Sequence, residues 1–351
     1  MNMISETSAS PSIGDDVVHV ALSLYDPAGT YSRHAGVVIA SILANTSNPV
    51  CFHILHDETL TVENRKKLEE TYNGNVAECA GCQSPDVAGI HFVDMSDMET
   101  HNDVDLDEMG GIFSRGTIYR LCIPEVLNNI KSVIYLDCDL VVNLDIVDLW
   151  TKTTCGQDYI LAGVREDNSS SEPDSTVPRE LIKTNSAGLT LERYINAGVL
   201  IMNLEKLRDE YAEKGNLCVR AAEYIRRNKP QCPDQDFLNA EYIGRILFID
   251  KMYNTVPVED YEDVFNVKMI FHFFSKGKPW NLVRGSNADM LYWKYLTYTP
   301  WKEELIESFY KAATNDEFYH RHSNACISRL KKQLKNNIKN IKRIFRKSDS
   351  I

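Results

Sequence analysis

SVIYLDCDLVV, residues 132–142, is an apolar run interrupted by two aspartates, Asp137 and Asp139. A short apolar run of this kind predicts a buried β-strand. Side chains two residues apart project from the same face of a strand, so the two carboxylates should point together from its carboxyl end. We expect them to converge on a cation, although two aspartates at a strand end can equally cap the amides of a loop.

Strands and helices alternate on both sides of this run. Upstream, strands are predicted at residues 17–26, 50–57 and 89–95, with helices at 32–46, 59–72 and 115–128. Downstream, strands are predicted within residues 158–167, at the start of 193–208 and within 245–254. This alternation predicts parallel βαβ units in an α/β fold, with a doubly wound, mostly parallel sheet that binds ligands at its carboxyl edge. The segment 94–111 has seven acids and no Lys or Arg, and it is expected to be an exposed loop.

Length and composition favour a folded enzyme. The chain has 351 residues, of which 43% are apolar, enough for one large α/β domain or two modest ones. No apolar run is long enough to span a membrane and the first 16 residues lack the pattern of a signal peptide, so we expect a cytoplasmic protein. Nine cysteines, an odd number, suit a reducing compartment. Cys79 and Cys82 form a CxxC pair, for which structural zinc is the alternative to free thiols.

Charge is divided unevenly along the chain. The net charge is −12, but the segment from residue 318 onward has 10 Lys or Arg and one acid. Its apolar residues recur at spacings of three and four, which predicts a basic amphipathic helix containing Ile327, Leu330, Leu334, Ile338, Ile341 and Phe345. Such a helix suits an anionic membrane surface, and a helix docked on the acidic body is the alternative. Nucleic acid is not an expected partner, because the tail has no aromatic platform.

Three further segments carry groups that suit a sugar-phosphate ligand. His272 lies near the end of a predicted strand and is followed by Lys276 and Lys278. Imidazole beside carboxylates favours Mn²⁺ over Mg²⁺, and lysines suit diphosphate oxygens. Residues 196–198, NAG, place an amide and two small residues at a strand start, where a ligand can approach the backbone. Residues 234–236, DQD, begin a predicted helix. The alternative for its acids is N-terminal capping alone, because acidic side chains are stabilising in the first turn of a helix.

Four segments, in order, resemble the retaining glycosyltransferases of family 8: YLDCDLVV, NAGVLIMNL, DQDFLN and HFFSKGKPW. That family includes bacterial lipopolysaccharide galactosyl- and glucosyltransferases and glycogenin, and the resemblance covers roughly residues 17–285. It implies a GT-A fold that binds Mn²⁺, with Mg²⁺ as a substitute, and a UDP-galactose or UDP-glucose donor. The acceptor would be a lipid-linked, lipopolysaccharide or protein-linked glycan.

The expected organisation follows from these segments. Residues 1–16 are expected to be disordered, 17–285 to form the GT-A catalytic domain, 286–325 a helical extension and 326–351 the basic tail. The tail would hold the protein peripherally on the inner face of the cytoplasmic membrane, and its function is expected to be in bacterial cell-surface glycan or glycoprotein glycan synthesis.

The resemblance assigns roles by motif. Asp137, Asp139 and His272 would ligate Mn²⁺. Lys278 would bind phosphate, and Arg120 would contact the donor near its sugar. The remaining implied donor-binding residues are Asp26, Asn196, Ala197, Asp234 and Gln235. Asp26 is the least similar of them, because the first strand ends in LYDPAGTY and not in the family's usual run of Asp with Asn and Tyr.

Gln235, with Asp234 beside it, is the implied catalytic residue beneath the anomeric carbon. A glutamine amide is a poor nucleophile, so we expect it to stabilise an oxocarbenium-like state while the acceptor attacks from the face that UDP leaves. Double displacement through an enzyme nucleophile is the alternative.

Other functions compatible with a DxD pair are a haloacid dehalogenase-type phosphatase, a nucleotidyltransferase and a catalytically degenerate GT-A scaffold at the membrane. The phosphatase aspartate belongs after the first strand, and a nucleotidyltransferase needs a Gly-rich loop near its start. A degenerate scaffold would be expected to lose metal ligands. The sequence therefore favours an active glycosyltransferase, but it identifies neither the acceptor nor the choice between glucose and galactose.

Overall fold

The computed structural model describes residues 17–46, 48–76, 88–111, 113–154, 158–166, 190, 193–257, 259–274, 278–281 and 286–314. The predicted disordered N-terminus, most of the loop after residue 166, Lys276 and the predicted basic tail lie outside these residues.

Seven strands form a central sheet: β1 (Val18–Leu24), β2 (Val50–His56), β3 (Gly89–Asp94), β4 (Ser132–Leu136), β6 (Leu161–Arg165), β7 (Ile195–Asn203) and β8 (Ile246–Ile249). Their spatial order is β3-β2-β1-β4-β7-β6-β8. Two short strands, β5 (Leu140–Val142) and β9 (Ile270–His272), pair antiparallel with each other beside the sheet.

The sheet is mostly parallel, as predicted, with one exception. Strands β3, β2, β1 and β4 run in one direction, and β6 and β8 share it. Strand β7 is antiparallel to both of its neighbours, β4 and β6. A strand that returns beside its predecessor in the opposite direction needs no crossover helix, so β7 is the exception to the parallel βαβ pattern of this sheet.

Helices cover both faces of the sheet. They are α1 (Ser32–Leu43), α2 (Val62–Val76), α3 (Met98–Asn102), α4 (Leu106–Gly110), α5 (Gly116–Val126), α6 (Ile146–Thr154), α7 (Leu204–Asp209), α8 (Tyr211–Lys214), α9 (Leu217–Asn228), α10 (Pro233–Glu241), α11 (Asp289–Leu296) and α12 (Glu303–Thr314). Short 3₁₀ turns occur at Lys251–Tyr253, Pro279–Asn281 and Pro300–Lys302. Among these elements no helix is both long and apolar enough to cross a bilayer.

Two hydrophobic cores result, one on each face. In β1 the alternate residues Val18, Val20 and Leu22 pack in the core that also holds α1 and α11, whereas Ala21 faces the core under α5 and α9. A sheet covered on both faces is the doubly wound arrangement that the sequence predicts.

The acidic segment 94–111 is not the exposed loop that its charge predicts. It forms α3 and α4, and Met95, Leu106 and Met109 are buried in the second core. The Asp105 side chain caps α4 by accepting a hydrogen bond from the Glu108 amide at 2.8 Å. Acids in the first turn of a helix are stabilising, so the same residues that suggest a solvated loop here begin a helix.

Candidate functional site

The two aspartates lie at the carboxyl end of β4, where the strand gives way to β5. Asp137 follows β4 directly, and Asp139 directly precedes Leu140, which pairs with His272 of β9. This pairing brings His272 Nε2 to 3.1 Å from Asp139 Oδ1 and 3.8 Å from Asp137 Oδ2. One ligand atom from each of the three residues lies within 4.8 Å of the others. Two carboxylates and an imidazole are a donor set that suits a divalent cation.

Gly198 of β7 lies directly against this cluster. A Cβ added at Gly198 would lie 2.2 Å from His272 Cε1 and 2.9 Å from Asp137 Oδ2. The Asp137 amide also donates to the Gly198 carbonyl oxygen at 2.9 Å. The two ligands can therefore take these positions only because residue 198 has no side chain, and the space fits three protein ligands around one ion.

A hydrogen-bond chain fixes the orientation of His272. The backbone of His272 donates to the Thr255 carbonyl at 2.9 Å, which brings Asn254 beside the ring. His272 Nδ1–H donates to Asn254 Oδ1 at 2.9 Å, and Asn254 Nδ2 donates to Asn196 Oδ1 at 2.9 Å. Because Asn254 Oδ1 can only accept, the proton is on Nδ1, and Nε2 is the nitrogen that faces the aspartates.

The Asn254→Ala variant is expected to bind a divalent cation, tested here with Mn²⁺, about 10- to 100-fold more weakly, because loss of an outer partner would free a ligating imidazole to rotate. The Mn²⁺ concentration that gives half-maximal activity would measure this change. In Asn254→Asp the acceptor for Nδ1–H is kept, so this variant should lose less. Equal Mn²⁺ requirements in the wild type and in both variants would contradict the positioning role.

Lys278 extends the cluster on the side of Asp139, because its ammonium group donates to Asp139 Oδ2. Burial alone raises the pKa of Asp139, but His272 and Lys278 outweigh it and hold that pKa well below its usual range. Asp139 therefore stays ionised at neutral pH. An ammonium group is also a group that can bind phosphate oxygen.

Arg120 of α5 connects Asp137 to the DQD segment. Its guanidinium donates to Asp137 Oδ1 at 2.7 Å and to the Ala197 carbonyl at 2.6 Å, and it pairs with Asp234 Oδ2 at 3.1 Å. Arg120 is buried and lies over the Tyr135 ring, 4.4 Å from its centroid. Burial raises the pKa of Asp234 despite this arginine. The fixed cation thus joins two carboxylates that would otherwise repel each other.

Gln235, at the start of α10, contacts the NAG segment. Its Oε1 accepts a hydrogen bond from the Ala197 amide at 2.9 Å, and its Nε2 donates to Tyr194 Oη at 3.2 Å. Asp236 accepts from Tyr194 Oη at 2.5 Å and from the Cys232 amide at 3.1 Å. Asp236 therefore serves the capping role, whereas Asp234 and Gln235 lie on the side of the aspartate cluster.

Asp26 is the predicted site residue that the structure does not join to the cluster. Its carboxylate accepts hydrogen bonds from the Tyr31 amide, from the amide and hydroxyl of Ser32, and from Asn64 Nδ2. The residue is 1% exposed. A contact between this carboxylate and a nucleotide base would have to replace bonds that hold the start of α1.

Three further residues belong to the site but are not predicted from the sequence. Asn254 orients His272, and Glu166 Oε2 accepts from Asn196 Nδ2 at 3.0 Å. Tyr31 is 36% exposed as a residue, but desolvation of its hydroxyl group, followed by the nearby Asp139, raises the pKa of Tyr31 well above its usual value. The Pro/Gly loop before Tyr31 is a visible sequence signal, whereas Asn254 lies in a stretch with no motif.

Comparison with known proteins identifies a family for this chain. A family model described as glycosyl transferase family 8 matches residues 24–283. A putative glycosyltransferase of Haemophilus influenzae is 26% identical over 260 residues, which cover 72% of this chain and 70% of that protein. The lipopolysaccharide 1,2-glucosyltransferase of Escherichia coli is 25% identical over 205 residues, or 55% of this chain and 57% of that protein.

Solved structures share the fold. The galactosyltransferase LgtC, determined in complex with donor and acceptor sugar analogues, superimposes with a TM-score of 0.57. The match covers 81% of this chain and 96% of that chain, at 20% sequence identity.

Proposed function

The chain belongs to glycosyl transferase family 8 and is a glycosyltransferase, and from this premise we propose that it moves galactose or glucose from a UDP-sugar to a glycan acceptor, with Mn²⁺ and with retention of anomeric configuration. The observation that carries the proposal is the convergence of Asp137, Asp139 and His272 around Gly198, with Lys278 beside them. Family membership sets aside the phosphatase and nucleotidyltransferase alternatives.

Asp137, Asp139 and His272 are the residues that would hold the metal. When bound, a divalent cation supplies Lewis-acid stabilisation of the departing diphosphate, which is worth several kcal/mol. The mixed oxygen and nitrogen donor set favours Mn²⁺ over Mg²⁺, although Mg²⁺ would substitute. Lys278 would neutralise a further diphosphate oxygen as a point charge.

The other site residues would hold and polarise the sugar. Arg120 pairs with both Asp137 and Asp234 and so fixes these carboxylates relative to each other. Asp234 and Asn196 would hold sugar hydroxyls by hydrogen bonds. The backbone at Ala197 lies between Arg120 and Gln235, which places Gln235 at the same end of β7 as the aspartate cluster. This position supports a Gln235 amide oxygen that stabilises positive charge at the anomeric carbon.

The chemical step then needs no protein nucleophile. The bond between the anomeric carbon and the β-phosphate oxygen breaks, and an acceptor hydroxyl oxygen bonds to that carbon from the same face. The leaving phosphate takes the acceptor's proton. A glutamine side chain cannot ionise at neutral pH, so double displacement through Gln235 is the weaker alternative.

The names of two relatives support the choice of donor and acceptor. The Escherichia coli relative is a lipopolysaccharide 1,2-glucosyltransferase, and LgtC is a galactosyltransferase. We infer a hexose donor and a lipid-linked, lipopolysaccharide or protein-linked glycan as acceptor. Catalysis would reside in residues 17–285, followed by the helical extension.

A panel of UDP-sugars incubated with Mn²⁺ tests the proposal, with UDP release as the measurement. UDP-glucose or UDP-galactose should be hydrolysed slowly without acceptor, and EDTA should stop the reaction. Absence of binding and hydrolysis with every UDP-sugar and every divalent metal tried would contradict the proposal.

The basic tail, outside the described residues, carries the proposal of peripheral membrane attachment. Removal of residues 327–351 is expected to abolish binding to vesicles that contain anionic lipid, because the lysines and apolar stripe are lost together. Donor hydrolysis should be unchanged, and vesicle sedimentation measures the binding. Equal sedimentation of the full-length and truncated proteins would refute the attachment.

A further inference from the structure

A second group of metal-binding side chains lies at the amino-terminal end of the sheet. It consists of His19 on β1 and of Cys51 and His53 on β2, and one ligand atom from each lies within 4.8 Å of the others. His19 is opposite Cys51 in the β1–β2 register, and Cys51 and His53 are two residues apart. The three side chains therefore project from the same face of the sheet.

This group is distinct from the aspartate cluster. Strand β1 pairs with β4 through Val20 and Ile134, and Ile134 is three residues before Asp137. His19 is one residue before Val20, so His19 and Asp137 are four residues apart along the strand direction. At the usual rise per residue, the two groups are therefore separated by about 13 Å along the strands. None of its three residues has a part in the glycosyl transfer proposed above.

The observed distances match those of one tetrahedral ion. The His19 Nδ1 to His53 Nε2 distance is 3.1 Å, and the Cys51 Sγ to His53 Nε2 distance is 3.5 Å. Zinc bonds of about 2.0–2.1 Å to nitrogen and 2.3 Å to sulfur, at tetrahedral angles, separate two nitrogens by about 3.3 Å and nitrogen from sulfur by about 3.5 Å. Two of the three separations are thus close to those around one zinc ion, and the third, between His19 Nδ1 and Cys51 Sγ, is within 4.8 Å.

The surroundings favour neutral imidazoles. Cys51 and His53 are 5% and 6% exposed, and His19 is partly buried. Burial, followed by nearby histidines, lowers the pKa of His19 to about 4 and that of His53 to about 3. Burial raises the pKa of Cys51 to about 11, so an ion entering here would displace the thiol proton.

We propose that His19, Cys51 and His53 form a second metal site, selective for a thiophilic divalent ion of the Zn²⁺ class and separate from the hard-cation site at Asp137 and Asp139. A donor set of one sulfur and two nitrogens favours Zn²⁺ and Co²⁺ over Mn²⁺ and Mg²⁺. Three protein ligands leave a fourth position for water, which the partial exposure of His19 allows. Bound there, the ion would join β2 to β1, the strand that leads to Asp26.

Titration of the full-length protein with Co²⁺ tests this site, because a thiolate bound to Co²⁺ gives a near-ultraviolet charge-transfer absorption that carboxylate ligands cannot produce. The titration uses an Asp137→Ala/Asp139→Ala background, which removes the other cation site. We expect one equivalent of tetrahedral Co²⁺ with sulfur charge transfer, and bleaching of the spectrum when Zn²⁺ is added. Excess Mn²⁺ should displace less than one tenth of the bound Co²⁺.

Two controls make the result specific. Cys51→Ser should abolish the charge-transfer band, whereas Cys79→Ser/Cys82→Ser, which removes the CxxC pair, should retain it. Cys51→Ser in the otherwise unchanged chain should keep its Mn²⁺-dependent glycosyl transfer, which separates this site from the proposed function. Absence of the band, its persistence in Cys51→Ser, or its loss only in the CxxC variant would overturn the proposal and leave a metal-free hydrogen-bonded group of histidines.

Discussion

The Asp139→Asn variant is expected to lose about a thousandfold in glycosyl transfer rate. Asp139 contacts both His272 and Lys278, and it is the carboxylate whose pKa they hold well below its usual range. Asparagine keeps the size of the side chain but removes the charge that would bind the metal. Loss of several kcal/mol of Lewis-acid stabilisation corresponds to about three orders of magnitude in rate.

The measurement is the initial rate of transfer or donor hydrolysis at saturating Mn²⁺. Asp158→Asn is the matched control, because the Asp158 side chain is fully exposed and pairs only with Lys206 among the described contacts. This control should keep wild-type activity. If Asp139→Asn kept more than a tenth of the wild-type rate with an unchanged Mn²⁺ requirement, Asp139 would not be a ligand of the catalytic metal.

The Gly198→Ala variant is expected to lose at least about a hundredfold in activity, although it removes no functional group. The added methyl group would lie 2.2 Å from His272 Cε1 and must displace either that ring or the Asp137 carboxylate. A displacement of about 1 Å at a reacting centre can cost a factor of about 100 in rate. Both the rate and the apparent affinity for Mn²⁺ should fall.

Gly74→Ala provides the control for Gly198→Ala, because the added Cβ meets no atom within 4 Å and residue 74 is in the last turn of helix α2. Gly74→Ala should leave activity unchanged and stability equal or slightly higher. Thermal unfolding of both variants distinguishes a displaced ligand from a damaged fold. A folded Gly198→Ala protein with wild-type activity would show that His272 and Asp137 need not both stay where the structure places them.

Local sequence patterns predicted much of the fold. The apolar runs of β1, β2 and β4 identify their strands, and alternation with helices predicts the doubly wound sheet. The antiparallel direction of β7 was not predictable, because strand periodicity is the same in either direction. The helices of the acidic segment were missed because α3 and α4 have only five residues each, too short a pattern for helical periodicity.

The candidate site was predictable where it has motifs and not where it depends on distant contacts. The aspartate pair is visible as a strand-end pattern, but only the β5–β9 pairing shows why His272 reaches it. Asn254 follows a short 3₁₀ turn and has no motif, so its bond to His272 emerges only from tertiary structure. The second group, His19 with Cys51 and His53, depends equally on strand register between residues 32 or more positions apart.

Calorimetric titration with UDP-glucose and UDP-galactose, in the presence and absence of Mn²⁺, tests most directly whether Asp137, Asp139 and His272 hold a metal-bound sugar diphosphate. At least one donor should bind the wild-type protein in Mn²⁺ at least about tenfold more tightly than in EDTA, a difference of about 1.4 kcal/mol. Asp139→Asn should remove that difference. Equal donor affinity with and without metal, or the same metal dependence in Asp139→Asn, would contradict the account.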